Sequence, residues 1–236
     1  QEALSEFRNR ALSPEHPVAR GMAENPDTFF THRESCNPYY DAVPAIVEDY
    51  MNKISEITGR KYGLFTYYGA EDADRVIIAM GSVTEAIRET IDYLNAQGQK
   101  VGLVAVHLYR PFSVKHFLDA VPATAKKIAV LDRTKEPGAN GEPLYLDIKE
   151  AFYGKENAPV IVGGRYGLGS NDTTPAQILA VYENLALPEP KNHFTLGIVD
   201  DVTFTSLPQG EEIAVGGEGM FEAKFYGLGA VPTRTQ

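Results

Sequence analysis

The sequence predicts an α/β fold: an open, mostly parallel sheet with helices on both faces, preceded by an irregular or helical N-terminal segment. Three observations carry this. From about residue 70 onward, short apolar runs alternate with amphipathic helical patterns. The connections between them are short, and strand–helix alternation with short connections builds a parallel sheet covered on both sides. Residues 1–68, by contrast, are polar, proline-punctuated and poor in strand signals.

Pro14, Pro17, Pro26 and Pro38 break up residues 1–40, so long regular elements are not expected there. One helix follows, with Pro44 near its start and Val43, Ile46, Val47, Tyr50, Met51 and Ile54 at helical spacing. Gly59 follows as a C-cap would. This segment has too little apolar periodicity to fold alone.

Val76–Met80 reads as a buried parallel strand ended by Gly81. Ser82-Val83-Thr84-Glu85 is a capping-box pattern, and Val83, Ile87, Ile91 and Leu94 form one helix face closed by Gly98. Val101–Leu108 is the next strand, and Pro111-Phe112-Ser113 leads into a short helix with Phe117, Leu118 and Val121 inward. Lys127–Leu131 is the third strand, Glu142–Phe152 a helix bearing Leu144, Ile148, Ala151 and Phe152, and Val160–Val162 the fourth strand. Thr174-Pro175-Ala176-Gln177 is a second capping-box pattern with proline at the first helical position, ahead of Ile178, Leu179, Tyr182 and Leu185. Phe194–Val199 is a fifth strand, and residues 200–236 are glycine-rich and weakly patterned.

Composition removes several function classes. A formal charge of −10 argues against a nucleic-acid partner, which needs a basic stripe. A single cysteine cannot make an internal disulfide, a four-thiolate zinc site or an iron–sulfur cluster. No apolar run reaches the ~18 residues of a membrane span, and no signal peptide is visible. A length of 236 residues amounts to roughly one and a half domains. With a start at Gln1 rather than Met, this leads us to expect a processed chain or a piece of a longer one.

Ligands of open α/β sheets sit beyond the carboxyl ends of the strands, and three loops qualify by position. Gly81-Ser82 opens a helix and either holds an anion through free N–H groups or is a plain cap. Asp132-Arg133-Thr134-Lys135-Glu136-Pro137-Gly138 places two cations between acids, suited either to a phosphate or to local self-neutralisation. Gly163-Gly164-Arg165-Tyr166-Gly167-Leu168-Gly169-Ser170 lacks the G-x-G-x-x-G fingerprint, and its glycines serve equally as positive-φ or close-packing positions. The P-loop, G-x-S-x-G and H-E-x-x-H patterns are absent. The histidines at 16, 32, 107, 116 and 193 form no ligand-like pair on one helix face. Cys36 stands in a polar cluster with His32 and Arg33, where a bystander role is the simpler reading. Tyr39-Tyr40 and Tyr67-Tyr68 read as packing residues.

The longer motifs are more specific. Arg20-Gly21-Met22-Ala23-Glu24-Asn25-Pro26-Asp27, Arg33-Glu34 and Asn37-Pro38-Tyr39-Tyr40 resemble pyruvate:ferredoxin (flavodoxin) oxidoreductase. So do Leu108-Tyr109-Arg110-Pro111-Phe112, Val130 to Gly138, Gly164 to Ser170, and Lys224-Phe225-Tyr226-Gly227-Leu228-Gly229. The resemblance covers about residues 1–230 and implies an internal piece of a much longer enzyme. Residues 1–68 would be the trailing part of a thiamine-diphosphate-binding (pyrimidine-type) domain. Residues 69–200 would be a domain similar to the C-terminal domain of transketolases, and 201–236 a truncated lead-in to a third. The family oxidatively decarboxylates pyruvate to acetyl-CoA, using thiamine diphosphate, magnesium and iron–sulfur clusters, and passes electrons to ferredoxin or flavodoxin.

The resemblance assigns this segment no catalytic residue, no metal ligand and no cofactor of its own, so it implies an inactive scaffold in interdomain or dimer contact. Its partners would be the rest of the parent enzyme and a second subunit in a homodimer, in the cytoplasm, with no nucleic acid and no membrane. The alternative is an anion-binding module in which Arg133, Lys135 and Arg165 hold coenzyme A phosphates at the strand ends. A free-standing α/β enzyme is disfavoured because no acid–base or nucleophile constellation is visible. After Ala230 the chain departs from the family pattern, ending Val231-Pro232-Thr233-Arg234-Thr235-Gln236, which leads us to expect a truncation or reading-frame change there.

Overall fold

A computed structural model describes residues 1–215 except 16, 19, 20 and 22. His16, Arg20 and Met22, the stretch Lys224–Gly229 and the ending Val231–Gln236 therefore lie outside the described residues. The chain divides into two compact units, residues 1–43 and Pro44 onward.

The first unit holds α1 (Glu2–Asn9), α2 (Pro26–Ser35) and the start of α3 (Asn37–Thr58). The segment is thus helical, the second of the two forms the sequence allows, with short helices before α3. Pro26 is the first residue of α2, where its missing N–H has no helical partner to lose, and Pro38 sits in the first turn of α3. Only Pro44 is interior, and α3 runs through it to Thr58, ahead of Gly59 at φ +70°.

The second unit contains the α/β sheet the sequence predicts and begins at Pro44, ahead of the division expected near residue 69. Its strands are β1 (Phe65–Gly69), β2 (Arg75–Met80), β3 (Val101–Val106), β4 (Lys127–Asp132), β5 (Val160–Arg165) and β6 (Phe194–Thr195). They lie in the order β1-β3-β2-β4-β5-β6. Every pairing is parallel except β1 with β3. Between them run α4 (Val83–Ala96), α5 (Val114–Ala120), α6 (Pro143–Phe152) and α7 (Pro175–Ala186).

The central strands are apolar at successive positions because both faces are buried. Ile77 and Ala79 of β2, Leu103 and Ala105 of β3, and Ala129 and Leu131 of β4 face a core completed by α4 and α7. Val76 and Ile78, Val104 and Val106, and Ile128 and Val130 face a second core with Phe117 of α5 and Leu144, Tyr145 and Ile148 of α6. Phe117 stands edge-on to Phe65 and Phe152, with ring centroids 5.7 and 5.8 Å away. Val47 and Met51 of α3 pack on the same side.

Four local expectations change. Phe65–Gly69, read with the N-terminal segment, is an antiparallel edge strand in register with β3, from Phe65 opposite Val106 to Gly69 opposite Gly102. The Ser82 box does not form: Ser82 has helical φ/ψ and its side chain caps nothing. Instead, Thr84 Oγ1 donates to the Gly81 carbonyl at 2.7 Å, and Glu85 pairs with Arg88. β5 continues past Val162 through Gly163-Gly164, because Tyr145 and Phe194 lie where their Cβ atoms would be. β6 is two residues long and stops before Gly197, at φ +76°. The Thr174 cap does form, with its side chain accepting from Gln177 N at 3.4 Å.

Candidate functional site

The strand order reverses between β3-β2 and β4, so the loops leaving β2 and β4 diverge and open a crevice at the carboxyl edge. A cleft of about 350 Å³ lies there, lined by Met80, Gly81, Ser82, Tyr109, Leu131, Asp132, Arg133, Thr134, Pro143 and Tyr166. Gly81, at φ +81°, turns the chain from β2 into α4.

Several polar groups around this cleft are engaged by the protein itself. Asp132 is 6% exposed. Its two carboxylate oxygens accept the Leu144 and Tyr145 N–H groups, each at 3.0 Å, so it caps α6 from the end of β4. Burial pushes its pKa above the ordinary carboxylate range, and the two N–H bonds oppose that push. Glu142, 2% exposed, faces Arg165 Nη1 at 3.4 Å, while Arg165 Nη2 donates to the His193 carbonyl at 3.0 Å. Arg133 Nε donates to the Gly167 carbonyl at 2.9 Å. Tyr166 donates to the Met80 carbonyl at 3.5 Å, and burial raises its pKa. At the rim, burial first and the Asp147 carboxylate second push the Tyr109 hydroxyl up to about 12, and Arg110 pairs with Asp147 at 2.7 Å beside a cis Arg110–Pro111 bond.

Of the three cations proposed from sequence, only Arg133 is among the residues lining the cleft. Arg133 lines the cleft, Lys135 is exposed and outside its lining, and Arg165 is engaged by Glu142 and the His193 carbonyl. Gly167 and Gly169 both take φ +65°, and Gly163 and Gly164 admit aromatic rings, so the glycines of this loop are used for conformation and packing. Cys36 Sγ donates to the His32 carbonyl one turn back at 3.4 Å.

Sequence reading missed one polar relay. Ser113 Oγ lies 2.6 Å from His116 Nδ1, and His116 Nε2 lies 3.5 Å from Glu48. Its only sequence signal was serine three residues before histidine at a helix start, an ordinary capping spacing. It lines neither the cleft nor the groove formed by β1, α4 and Lys100 at the opposite end of the sheet.

Among the described residues no three His, Cys, Asp or Glu side chains converge; both oxygens of Asp132 accept from the start of α6, whereas Glu142 meets Arg165 through Oε1 and its Oε2 is buried without a partner. No described helix is long and apolar enough to cross a membrane.

Comparison with known proteins decides the family. Residues 73–178 match the profile of pyruvate:ferredoxin oxidoreductase core domain II. Residues 1–52 match that of the thiamine-diphosphate-binding region of pyruvate flavodoxin/ferredoxin oxidoreductase. The chain is 57% identical over 231 residues, 98% of its length, to the pyruvate-flavodoxin oxidoreductase of Enterobacter agglomerans. The chain belongs to the pyruvate:ferredoxin/flavodoxin oxidoreductase family. Pyruvate-flavodoxin oxidoreductase of Klebsiella pneumoniae is 58% identical over 97% of the chain, and pyruvate:ferredoxin oxidoreductase of Moorella thermoacetica 54% identical over 97%. The chain spans about a fifth of the length of these relatives, 20% in each case. As a stretch of this oxidoreductase family, it carries the thiamine-binding profile over α1, α2 and most of α3, and the core-domain-II profile over the sheet from β2 to the start of α7.

Proposed function

We propose that this chain is a non-catalytic scaffold segment of a cytoplasmic, homodimeric pyruvate:ferredoxin/flavodoxin oxidoreductase. Residues 1–68 belong to the trailing part of its thiamine-diphosphate-binding domain, 69–200 to a transketolase C-terminal-like domain, and 201–236 to the lead-in to a third. The complete enzyme oxidatively decarboxylates pyruvate to acetyl-CoA and passes the electrons to ferredoxin or flavodoxin. Thiamine diphosphate, when bound elsewhere in that enzyme, stabilises the carbanion left by decarboxylation.

The observation that supports the reading is that the charged groups at the cleft are engaged largely by the protein itself, although Glu142 Oε2 is buried without a partner. Asp132 is committed to α6, Glu142 to Arg165 and Arg133 Nε to Gly167, so no acid–base pair faces a substrate. The chain supplied with pyruvate, coenzyme A, thiamine diphosphate, magnesium and methyl viologen is expected to release no carbon dioxide and reduce no dye. Turnover under these conditions overturns the reading.

A second reading keeps the cleft as an anion site. Arg133 lines it beside Ser82, whose hydroxyl is not spent on capping α4. In this reading Arg133 is the principal contact for a coenzyme A phosphate, with Lys135 and Arg165 at most peripheral. Calorimetry with coenzyme A decides it: binding that Arg133→Ala abolishes supports the site, and no binding, or binding unchanged by Arg133→Ala, removes it.

A further inference from the structure

The strongest unspent feature of the sheet unit is α3. Taking about 100° of turn per residue, Ile46, Tyr50, Ile54 and Ile57 fall within an arc of about 80°. Pro44, Val47, Met51 and Ser55 occupy a neighbouring arc centred about 100° further round. Glu48, Asp49, Asn52, Lys53 and Glu56 fill the remainder. The apolar and small side chains thus cover about half the circumference, whereas a helix lying on one surface needs a stripe of about 100°.

The structure uses only one of the two arcs. Val47 and Met51 pack on the sheet core, and Ser55 Oγ accepts the Tyr62 N–H at 3.0 Å. Ile46, Tyr50, Ile54 and Ile57 remain 53%, 60%, 48% and 84% exposed. A row of four large apolar side chains on one helix face is the kind of contiguous patch that marks an interaction surface.

The occupant follows from where cores are missing. Among the described residues of 1–63, none is buried, although residues 1–52 match the profile of a thiamine-diphosphate-binding region. A domain needs its own hydrophobic core. About four-fifths of the length of the relatives lies outside the stretch matched here, since the chain spans 20% of each. We infer that the Ile46–Ile57 face of α3 docks on the remainder of the thiamine-diphosphate-binding domain of the same full-length polypeptide. α3 is then shared between two cores, with Val47 and Met51 in the sheet domain and Ile46, Tyr50, Ile54 and Ile57 in its neighbour. This rests on the scaffold reading above and specifies which surface the scaffold uses.

The test uses the full-length oxidoreductase carrying this stretch, with a photo-crosslinking amino acid at position 50 or 54. Irradiation is expected to give intrachain crosslinks to peptides outside the stretch, within the thiamine-binding domain. Crosslinks between two copies of α3, no crosslinks, or crosslinks only within the stretch overturn the inference. In parallel, Ile54→Lys with Ile57→Lys is expected to leave the melting temperature of the 236-residue chain within about 1 °C, as exposed substitutions do. In the full-length enzyme the same pair is expected to weaken thiamine diphosphate binding about tenfold, as loss of an apolar anchor does. Sedimentation of the 236-residue chain as a dimer that these substitutions split would assign the face to a second copy and overturn the inference. Turnover by the 236-residue chain, by contrast, would sink the scaffold reading while leaving the crosslink pattern to be read independently.

Discussion

Asp132 offers the sharpest quantitative test. Asp132→Ala leaves the Leu144 and Tyr145 N–H groups, both held at 3.0 Å and both on buried residues, without acceptors at the start of α6. An orphaned buried donor costs about 1–3 kcal/mol, so the pair costs about 2–6 kcal/mol. With a urea m-value of about 3 kcal/mol/M, the midpoint falls by about 0.7–2 M. Asp132→Asn, which retains one acceptor oxygen and turns an amide toward the second donor, is expected to fall between the two. The pH dependence adds a sign. The carboxyl is held above its ordinary range in the folded state by burial, so the native state binds its proton more readily than the unfolded chain. Its contribution is fully present below the unfolded carboxylate pKa and is lost as pH rises through the folded value. The stability gap between wild type and the non-titrating Asp132→Asn variant should therefore widen as pH falls from 7 through the carboxylate range. A midpoint unchanged by Asp132→Ala would refute the capping role. A gap that narrows toward low pH would show that the N–H bonds, rather than burial, govern the titration.

Three further outcomes are expected. Thr174→Ala should lower stability by about 0.5–1 kcal/mol, whereas Ser82→Ala should change nothing measurable in the same urea melts, because only Thr174 makes a cap bond. Gly164→Ala drives a methyl into the Phe194 ring. It should destabilise by about 1–3 kcal/mol, a fall of about 3–10 °C in calorimetric melting temperature. Burial first, with Asp72 second, pushes the Tyr67 hydroxyl up to about 12. Absorbance titration at alkaline pH should therefore lose a late-titrating tyrosine in Tyr67→Phe, and Tyr67's contribution to stability should persist at pH 10 and disappear as pH rises toward that value.

Much of the fold was legible in local pattern. The helix faces of α4 and α7 and the apolar runs of β2, β3 and β4 announced themselves, because burial on both sides of a parallel sheet demands uninterrupted apolar strands. β1 did not, because an edge strand has one partner, and Phe65-Thr66-Tyr67-Tyr68-Gly69 mixes aromatic and polar residues. The far half of β5 was hidden by Gly163-Gly164, which weaken a strand signal yet are required by the rings lying against them. Positions 26 and 38 read as breaks, although proline in a first turn starts a helix as readily as it ends one.

The sequence by itself determined the α/β class, the family through its long motifs, and the absence of an iron–sulfur ligand set from a chain with one cysteine. Those properties are written in period, in runs of identity and in counts, none of which depends on distant parts meeting. The tertiary structure decided what each charged loop does. Asp132 and Arg133 are adjacent in sequence, yet one turns to the α6 start twelve and thirteen residues away and the other to the Gly167 carbonyl. Glu142 claims Arg165 across the strand ends. A buried charge must find its partner wherever the sheet order brings one, and strand order is a property of the assembled fold rather than of any segment.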